Sequence, residues 1–227
     1  MNRALFFSAA VLMSLCSCVY TVGNNNGKVI KGEGPLETRE LDLSGFNSIV
    51  VNGQADITFT QSESTWKVSV YTNENVFDYL DYHVDGETLV LEYKDQVNIR
   101  AKEFEVSISA PQLRHVVVNG ASDFKAPDGI HADEDFGFEV NGAGDMDLHG
   151  VVCPSLSVMV NGAGDIDLSS IDVRKVSIVI NGAGDATVTG KADEASFSVS
   201  GVGGIDATGL QAEKVNKSVS GLAKIKL

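Results

Sequence analysis

Six aspartates stand at nearly constant spacing in the second half of the chain: Asp145 and Asp147, Asp165 and Asp167, Asp185, and Asp206. Carboxylates repeated in this way offer three kinds of chemistry. They can hold a divalent cation, meet a cationic ligand, or act as acid and base on a polysaccharide. Each of the first five lies in or just after the stretch NGAGD, which occurs at Asn141–Asp145, Asn161–Asp165 and Asn181–Asp185.

The metal reading has a specific template, the calcium-binding nonapeptide GGxGxDxUx. Here the residue that would carry its liganding Asp is Met146, Ile166 or Ala186, and the repeat is 20 residues long. That form of calcium site is not expected; Asp145, Asp147, Asp165, Asp167, Asp185 and Asp206 read first as structural carboxylates at the corners, with a weakly held divalent cation along the stripe as the alternative. No other cofactor is expected. The four histidines, His83, His115, His131 and His149, fall in separate segments without metal-ligand spacing. No HExxH, GxSxG, P-loop or CxxC occurs, so hydrolase, kinase and zinc-enzyme readings have no residues to stand on. A polysaccharide lyase is the enzymatic alternative, with the Asp columns plus Arg174 or Lys175 facing a uronate. It rests on fold-level analogy.

These side chains are positioned by a repeat. Counting the residue before the first Gly gives Asn119, Asn141, Asn161, Asn181, Ser200 and Ser220, spaced 22, 20, 20, 19 and 20 residues apart, with an outlying copy at Asn52. Apolar residues keep register with it. Before the Asn come Val140/Phe138/Phe136, Val160/Val158/Leu156, Ile180/Ile178/Val176 and Val199/Phe197/Ala195. After it come Met146/Leu148, Ile166/Leu168, Ala186/Val188, Ile205/Ala207 and Ile225/Leu227. Period-2 alternation of this kind marks strands with one buried face. Each repeat reads as strand, Gly-rich corner, strand, and a looser return such as HGVVCP or TGKADE.

A unit of about 20 residues with two main strands cannot enclose a core alone, and stacking its neighbours solves that. The expected fold is therefore all-β: a two-sheet β-solenoid, a parallel β-helix-like superhelix of ~20-residue coils with Gly-rich corners. Asn-Gly is also a hairpin signal, so an antiparallel meander is the rival. In the solenoid, Gly142, Gly144, Gly162, Gly164, Gly182 and Gly184 supply the corner backbone, and Asn141, Asn161 and Asn181 can form a hydrogen-bonded ladder. Aspartates four and six residues after the Asn then face outward, about 4.8 Å from their copies. Like charges at that distance repel by about 1 kcal/mol in water and ~3.5 at an effective dielectric of 20. Corner N–H groups or a cation should offset this. Lys125 and Lys224/Lys226 take the equivalent places at the two ends. The other outward face carries Val117, Glu139, Met159, Val179 and Ser198, a contact stripe or merely scattered surface.

The first 17 residues have one charge at Arg3 and an apolar run, Ala4–Leu15, too short to span a bilayer. Leu15-Cys16-Ser17-Cys18 resembles a bacterial lipobox with Cys18 as the lipidated residue. Residues 1–17 are thus expected to be a signal peptide, 18–34 a flexible tether containing GNNNG, and 35–227 one domain. Within it, 35–117 reads as irregular coils and 118–227 as regular repeats. VFDYLDY (Val76–Tyr82) is the one plausible helical turn. Trp66, Tyr71, Tyr79, Tyr82 and Tyr93 concentrate in this part, where they read as packing residues rather than a sugar platform.

Cleavage before Cys18 would leave 210 residues with 16 Lys+Arg against 31 Asp+Glu. Such a surface repels nucleic acid and anionic headgroups, so membrane association would run through the lipid alone. The expected location is a bacterial envelope, lipid-anchored to the outer membrane and facing periplasm or exterior. Cys153 would be the one unmodified cysteine, so no internal disulfide is expected. The final repeat, NKSVSGLAKIKL, puts Lys217 at a position that is inward in earlier repeats. An open end of this sort is either charge-blunted or covered by a second copy, which makes a homodimer an expected partner state.

Phe46–Gln61 (F-x-x-I-x-V-x-G-x-x-D-I-x-F-x-Q), then ENVFDYLDYHVDGETLVLEY, then serial xVNGAGDxxL corners together resemble the DUF2807 family, also called autotransporter-adhesin head GIN domains. The resemblance covers about Leu36 to Leu227. It implies a two-sheet β-superhelix similar to pectin-lyase-like folds without their catalytic residues, and cell adhesion. The function expected is a non-enzymatic, envelope-anchored binding or adhesion module for a protein or glycan.

Overall fold

A computed structural model describes residues 28–94 and 97–227. Its architecture follows from strict alternation. In the strand Phe136–Ala143, the residues Phe136, Phe138 and Val140 are no more than 2% exposed, while their neighbours face out. The β-branched and aromatic residues on the buried side suit a pleated surface packed on one face. The same parity holds at Leu156/Val158/Val160 and Val176/Ile178/Ile180.

The chain is all-β, with one mixed 14-stranded sheet and a separate two-stranded one. Through the repeats the pairing is parallel, each strand against its own copy. Asn52 stands opposite Asn119, Asn119 opposite Asn141, Val140 opposite Val160, and Asn161 opposite Asn181. The three NGAGD stretches lie side by side and not at hairpin tips, which removes the meander. Antiparallel pairs occur at the N-terminal end: Leu36–Leu41 with Lys67–Asn73, the latter with Glu105–Ala110, and Leu80–Asp85 with Thr88–Tyr93. Leu36–Leu41 and Leu80–Asp85 are the two edges, so the sheet is not closed.

Two rows bracket the corner. One runs through Ile49, Val116, Phe138 and Val158; the other through Ile57, Phe124, Met146 and Ile166. Both rows feed a single apolar cluster. Phe124 of the second row meets Phe138 of the first edge-on, with ring centroids 5.3 Å apart.

The return is more ordered than a loose connection. Ile130 pairs in parallel register with Val151, and Cys153 with Val173; all four are buried. The expectation of two strand rows per repeat is thereby corrected to three. The reason is visible in the residues: Val151/Cys153 and Ile171/Val173 alternate as strictly as the main strands do. From Ile166 to Lys226 strand pairing continues through the corners, although Ser170 (φ 59°), Gly190 (φ 123°), Gly203 (φ 125°) and Gly221 (φ 105°) depart from extended geometry. A straight strand of that length would reach roughly 200 Å. Instead the run turns repeatedly and stacks on itself, with Gly201 on Gly182, Gly203 on Gly184 and Gly221 on Gly201.

Two boundaries, and the burial of two residues in the last repeat, differ from expectation. The tether expected over 18–34 is shorter at its C-terminal side, because Lys28–Lys31 is a strand paired in parallel with Val97–Arg100. Ile30 drives this by packing against Val76 and Ile99. The helical turn is a 3-10 helix at Glu74–Tyr79, and Leu80 already begins a strand. Leu227 sits at a core position by parity yet is 55% exposed, and Lys217 is exposed too. The signal peptide expected over residues 1–17, and Cys18, lie outside the described residues.

Candidate binding face

The corner is held by three columns. In the first, amides form a ladder: Asn119 Nδ2 donates to Asn52 Oδ1 at 3.0 Å, Asn141 to Asn119 at 3.1 Å, Asn161 to Asn141 at 3.0 Å and Asn181 to Asn161 at 3.0 Å. Asn119, Asn141 and Asn161 each give and receive once, so their side chains are satisfied along the column. In the second column the backbones approach so closely that a side chain cannot enter. A Cβ at Gly162 would overlap the carbonyl oxygen of Gly142, and one at Gly164 that of Gly144.

The third column is the acidic one. The backbone N–H of Asp145 donates to Asp123 Oδ1, that of Asp165 to Asp145 Oδ1, and that of Asp185 to Asp165 Oδ1, each at 2.9 Å. These carboxylates therefore cap corner N–H groups of the neighbouring repeat, which offsets part of their mutual repulsion.

Two residues further on, the situation changes. Asp147 stands in register with Lys125 on one side and Asp167 on the other. Both Asp147 and Asp167 are exposed, and no hydrogen bond or ion pair engages either among the described residues. They line a shallow depression of about 350 Å³ with Lys125, Asp145, Asp165 and Thr187. A second depression of about 340 Å³ continues it past Asp185 and Thr187 to Asp206 and Lys226. The result is a long, shallow acidic trough with a lysine at each end. Asp206 itself is engaged. It accepts from Thr208 Oγ1 at 2.7 Å and from Lys226 Nζ at 2.9 Å. These two bonds, that of Thr208 foremost, pull its carboxyl down to about 2.

The six aspartates of the sequence stripe thus separate by role: Asp145 and Asp165 cap the next repeat, Asp206 is ion-paired, and the exposed carboxylates of Asp147, Asp167 and Asp185 are unengaged among the described residues. They run as parallel columns and do not converge. Arg174 and Lys175 do not join them; Lys175 Nζ lies 4.0 Å from Glu194 Oε2, and Lys214 Nζ binds Oε1 of the same carboxylate at 2.9 Å. On the other outward face, Met159 is 37% exposed and Val117, Glu139 and Val179 are half-buried. Trp66 is anchored through its indole N–H to Phe46 O at 2.8 Å, and Tyr93 through its hydroxyl to Gln54 O at 2.6 Å.

One group escapes sequence reading. Asp81, His83 and Glu92 bring their ligand-capable atoms within 4.8 Å of one another. The i, i+2 spacing of Asp81 and His83 is the only local signal; Glu92 arrives by antiparallel pairing.

The DUF2807 family model, described as "Putative auto-transporter adhesin, head GIN domain", matches residues 45–227. Among solved structures, a Parabacteroides distasonis protein described as "Putative lipid binding protein" is 28% identical, with a TM-score of 0.82 over 87% of this chain and 84% of its own. A second P. distasonis protein, a "putative adhesin", is 25% identical, with a TM-score of 0.80 over the same shares. A Bacteroides fragilis "putative adhesin" is 23% identical and shares the fold, with a TM-score of 0.72 over 87% of this chain and 99% of that one. No curated protein matches the chain. No described helix is long and apolar enough to cross a membrane.

Proposed function

We propose, from the premise that the chain belongs to the DUF2807 family, that it is a non-enzymatic binding module of the bacterial envelope, built as a β-solenoid and tethered through a lipidated Cys18. The parallel pairing of each repeat with its copy supports the solenoid reading. The adhesin and lipid-binding descriptions of its structural relatives support a binding role.

One observation carries the choice of face. Asp147 and Asp167 stay unengaged beside the amide ladder, the stacked glycines and the capping carboxylates of Asp145 and Asp165, which are consumed by architecture. A trough of this shape suits an extended ligand held by many weak, repeated contacts. Its charge selects cationic groups on a protein, or a glycan reached through a divalent cation bridging Asp147 and Asp167. The exposed apolar residues of the last repeat add a second contact. Val215 and Val219 occupy core-column positions but are 38% and 45% exposed, and Leu222 is 83% exposed. We assign that surface to a second copy of the chain.

The test is an array of glycans, matrix proteins and lipid vesicles, run with calcium and with a chelator. Binding should appear with the native chain and fall at least tenfold in an Asp147→Asn/Asp167→Asn variant. No binding in either condition, together with turnover of a uronate-containing polysaccharide, would replace this reading with the lyase.

A further inference from the structure

We propose that Asp81, His83 and Glu92 form a surface site for a divalent transition metal of the zinc type. The site is independent of the acidic trough and lies on the edge strand Leu80–Asp85 and its neighbour Thr88–Tyr93.

The geometry comes from strand parity and register. Asp81 and His83 are two residues apart and project from one face of the strand, with Tyr82 turned to the other side. Antiparallel pairing puts Glu92 opposite Asp81. One donor atom from each of the three residues lies within 4.8 Å of the others. His83 Nδ1 and Asp81 Oδ1 are 3.6 Å apart. Two donors on a tetrahedral zinc, each bonded at 2.0–2.1 Å, are separated by roughly 3.4 Å, so the ring and carboxylate need close by only a few tenths of an ångström.

The third ligand is oriented from behind. Asn52 Nδ2 donates to Glu92 Oε2 at 3.1 Å, and Asn52 is itself fixed by Asn119. Glu92 is therefore the terminus of the amide ladder that runs the length of the repeats. A ligating carboxylate held by an amide is the outer-shell arrangement that sharpens metal sites. Glu92 keeps its second oxygen unbonded among the described residues.

Donor chemistry sets the class of ion. One imidazole and two carboxylates suit zinc and neighbouring first-row metals, whereas calcium and magnesium take oxygen ligands. Two carboxylates and a neutral imidazole balance a divalent charge. Three protein ligands leave one coordination position open to water or to a donor from outside. An ion bound here would also staple the edge strand to its neighbour across the Asp81–Glu92 pair.

The experiment is calorimetric titration of the untagged chain with zinc sulfate, paralleled by cobalt(II) absorption. One equivalent should bind, with the melting temperature rising on zinc addition. His83→Ala should abolish it, and Asp81→Asn and Glu92→Gln should each weaken it at least tenfold. Glu92→Gln keeps an acceptor for Asn52, so its loss of binding cannot be assigned to a broken ladder. Millimolar calcium should neither bind there nor displace cobalt. Absence of an equivalent at 100-fold excess zinc, or an equivalent that survives His83→Ala and disappears with His115→Ala, His131→Ala or His149→Ala, would overturn the site.

Discussion

Asp165 donates its backbone N–H to the carboxylate of Asp145 at 2.9 Å, one repeat away, while the carboxylate of Asp167, two residues on, is exposed and engages no partner among the described residues. Two aspartates of the same repeat thus serve opposite ends. Asp165→Ala removes an acceptor for the N–H of Asp185 and should cost about 1 kcal/mol. Asp167→Asn removes a like-charge neighbour of Asp147 and should change stability by no more than about 0.5 kcal/mol, in the stabilising direction. Urea denaturation of both variants measures the difference, and equal losses would contradict the division of roles.

Gly164 should be intolerant for a steric reason. A Cβ there overlaps the carbonyl oxygen of Gly144, which belongs to backbone and cannot swing aside. Gly164→Ala is expected to destabilise by about 1–3 kcal/mol, the usual range for forced overpacking. A melting temperature equal to that of the native chain would show that the stacked backbones can separate freely.

Burial pushes the Cys153 thiol up to about 11, against weaker opposing help from backbone hydrogen bonds at Phe136 and Ser155. Because the folded state holds this proton more tightly than the unfolded one, the thiol's contribution is intact below the ordinary thiol range. It is lost as pH climbs from about 8.5 toward 11. Native protein at pH 8 should react with a thiol reagent only as fast as it opens, and unfolded protein at once. Rapid native labelling of Cys153 would show an open route to the core.

Lipid anchoring predicts a fractionation result. Cys18→Ser should move the protein from membrane pellets to the soluble fraction in detergent-free lysates. A variant that stays in the pellet would remove the anchor from the account.

The uncovered end predicts association. Light scattering should show dimers at high concentration, and Val219→Lys, placing charge on the open core column, should return them to monomers. Only monomer across the concentration range would leave the paired lysines, Lys214 on Glu194 and Lys226 on Asp206, as sufficient protection of that end.

What the sequence by itself determined is local and periodic. Alternation at Val140, Phe138 and Phe136 names the buried face, because a strand sends successive side chains to opposite sides. A repeat length near 20 residues names which residues become neighbours, since equal contour lengths return each Asn to the one before it. What only the tertiary structure decided is wherever contact depends on segments of unequal length. The pairing of Lys28–Lys31 with Val97–Arg100 joins two short stretches that no period connects. The return row is ordered because it too finds a copy to pair with, which the apolar residues Val151 and Cys153 hint at but cannot require. Asp145 and Asp147 look alike in the sequence, yet Asp145 accepts an N–H of the neighbouring repeat and Asp147 is exposed and unengaged among the described residues. Asp81, His83 and Glu92 share a face because an antiparallel turn folds two strands together, and its register exists only once the chain has bent back on itself.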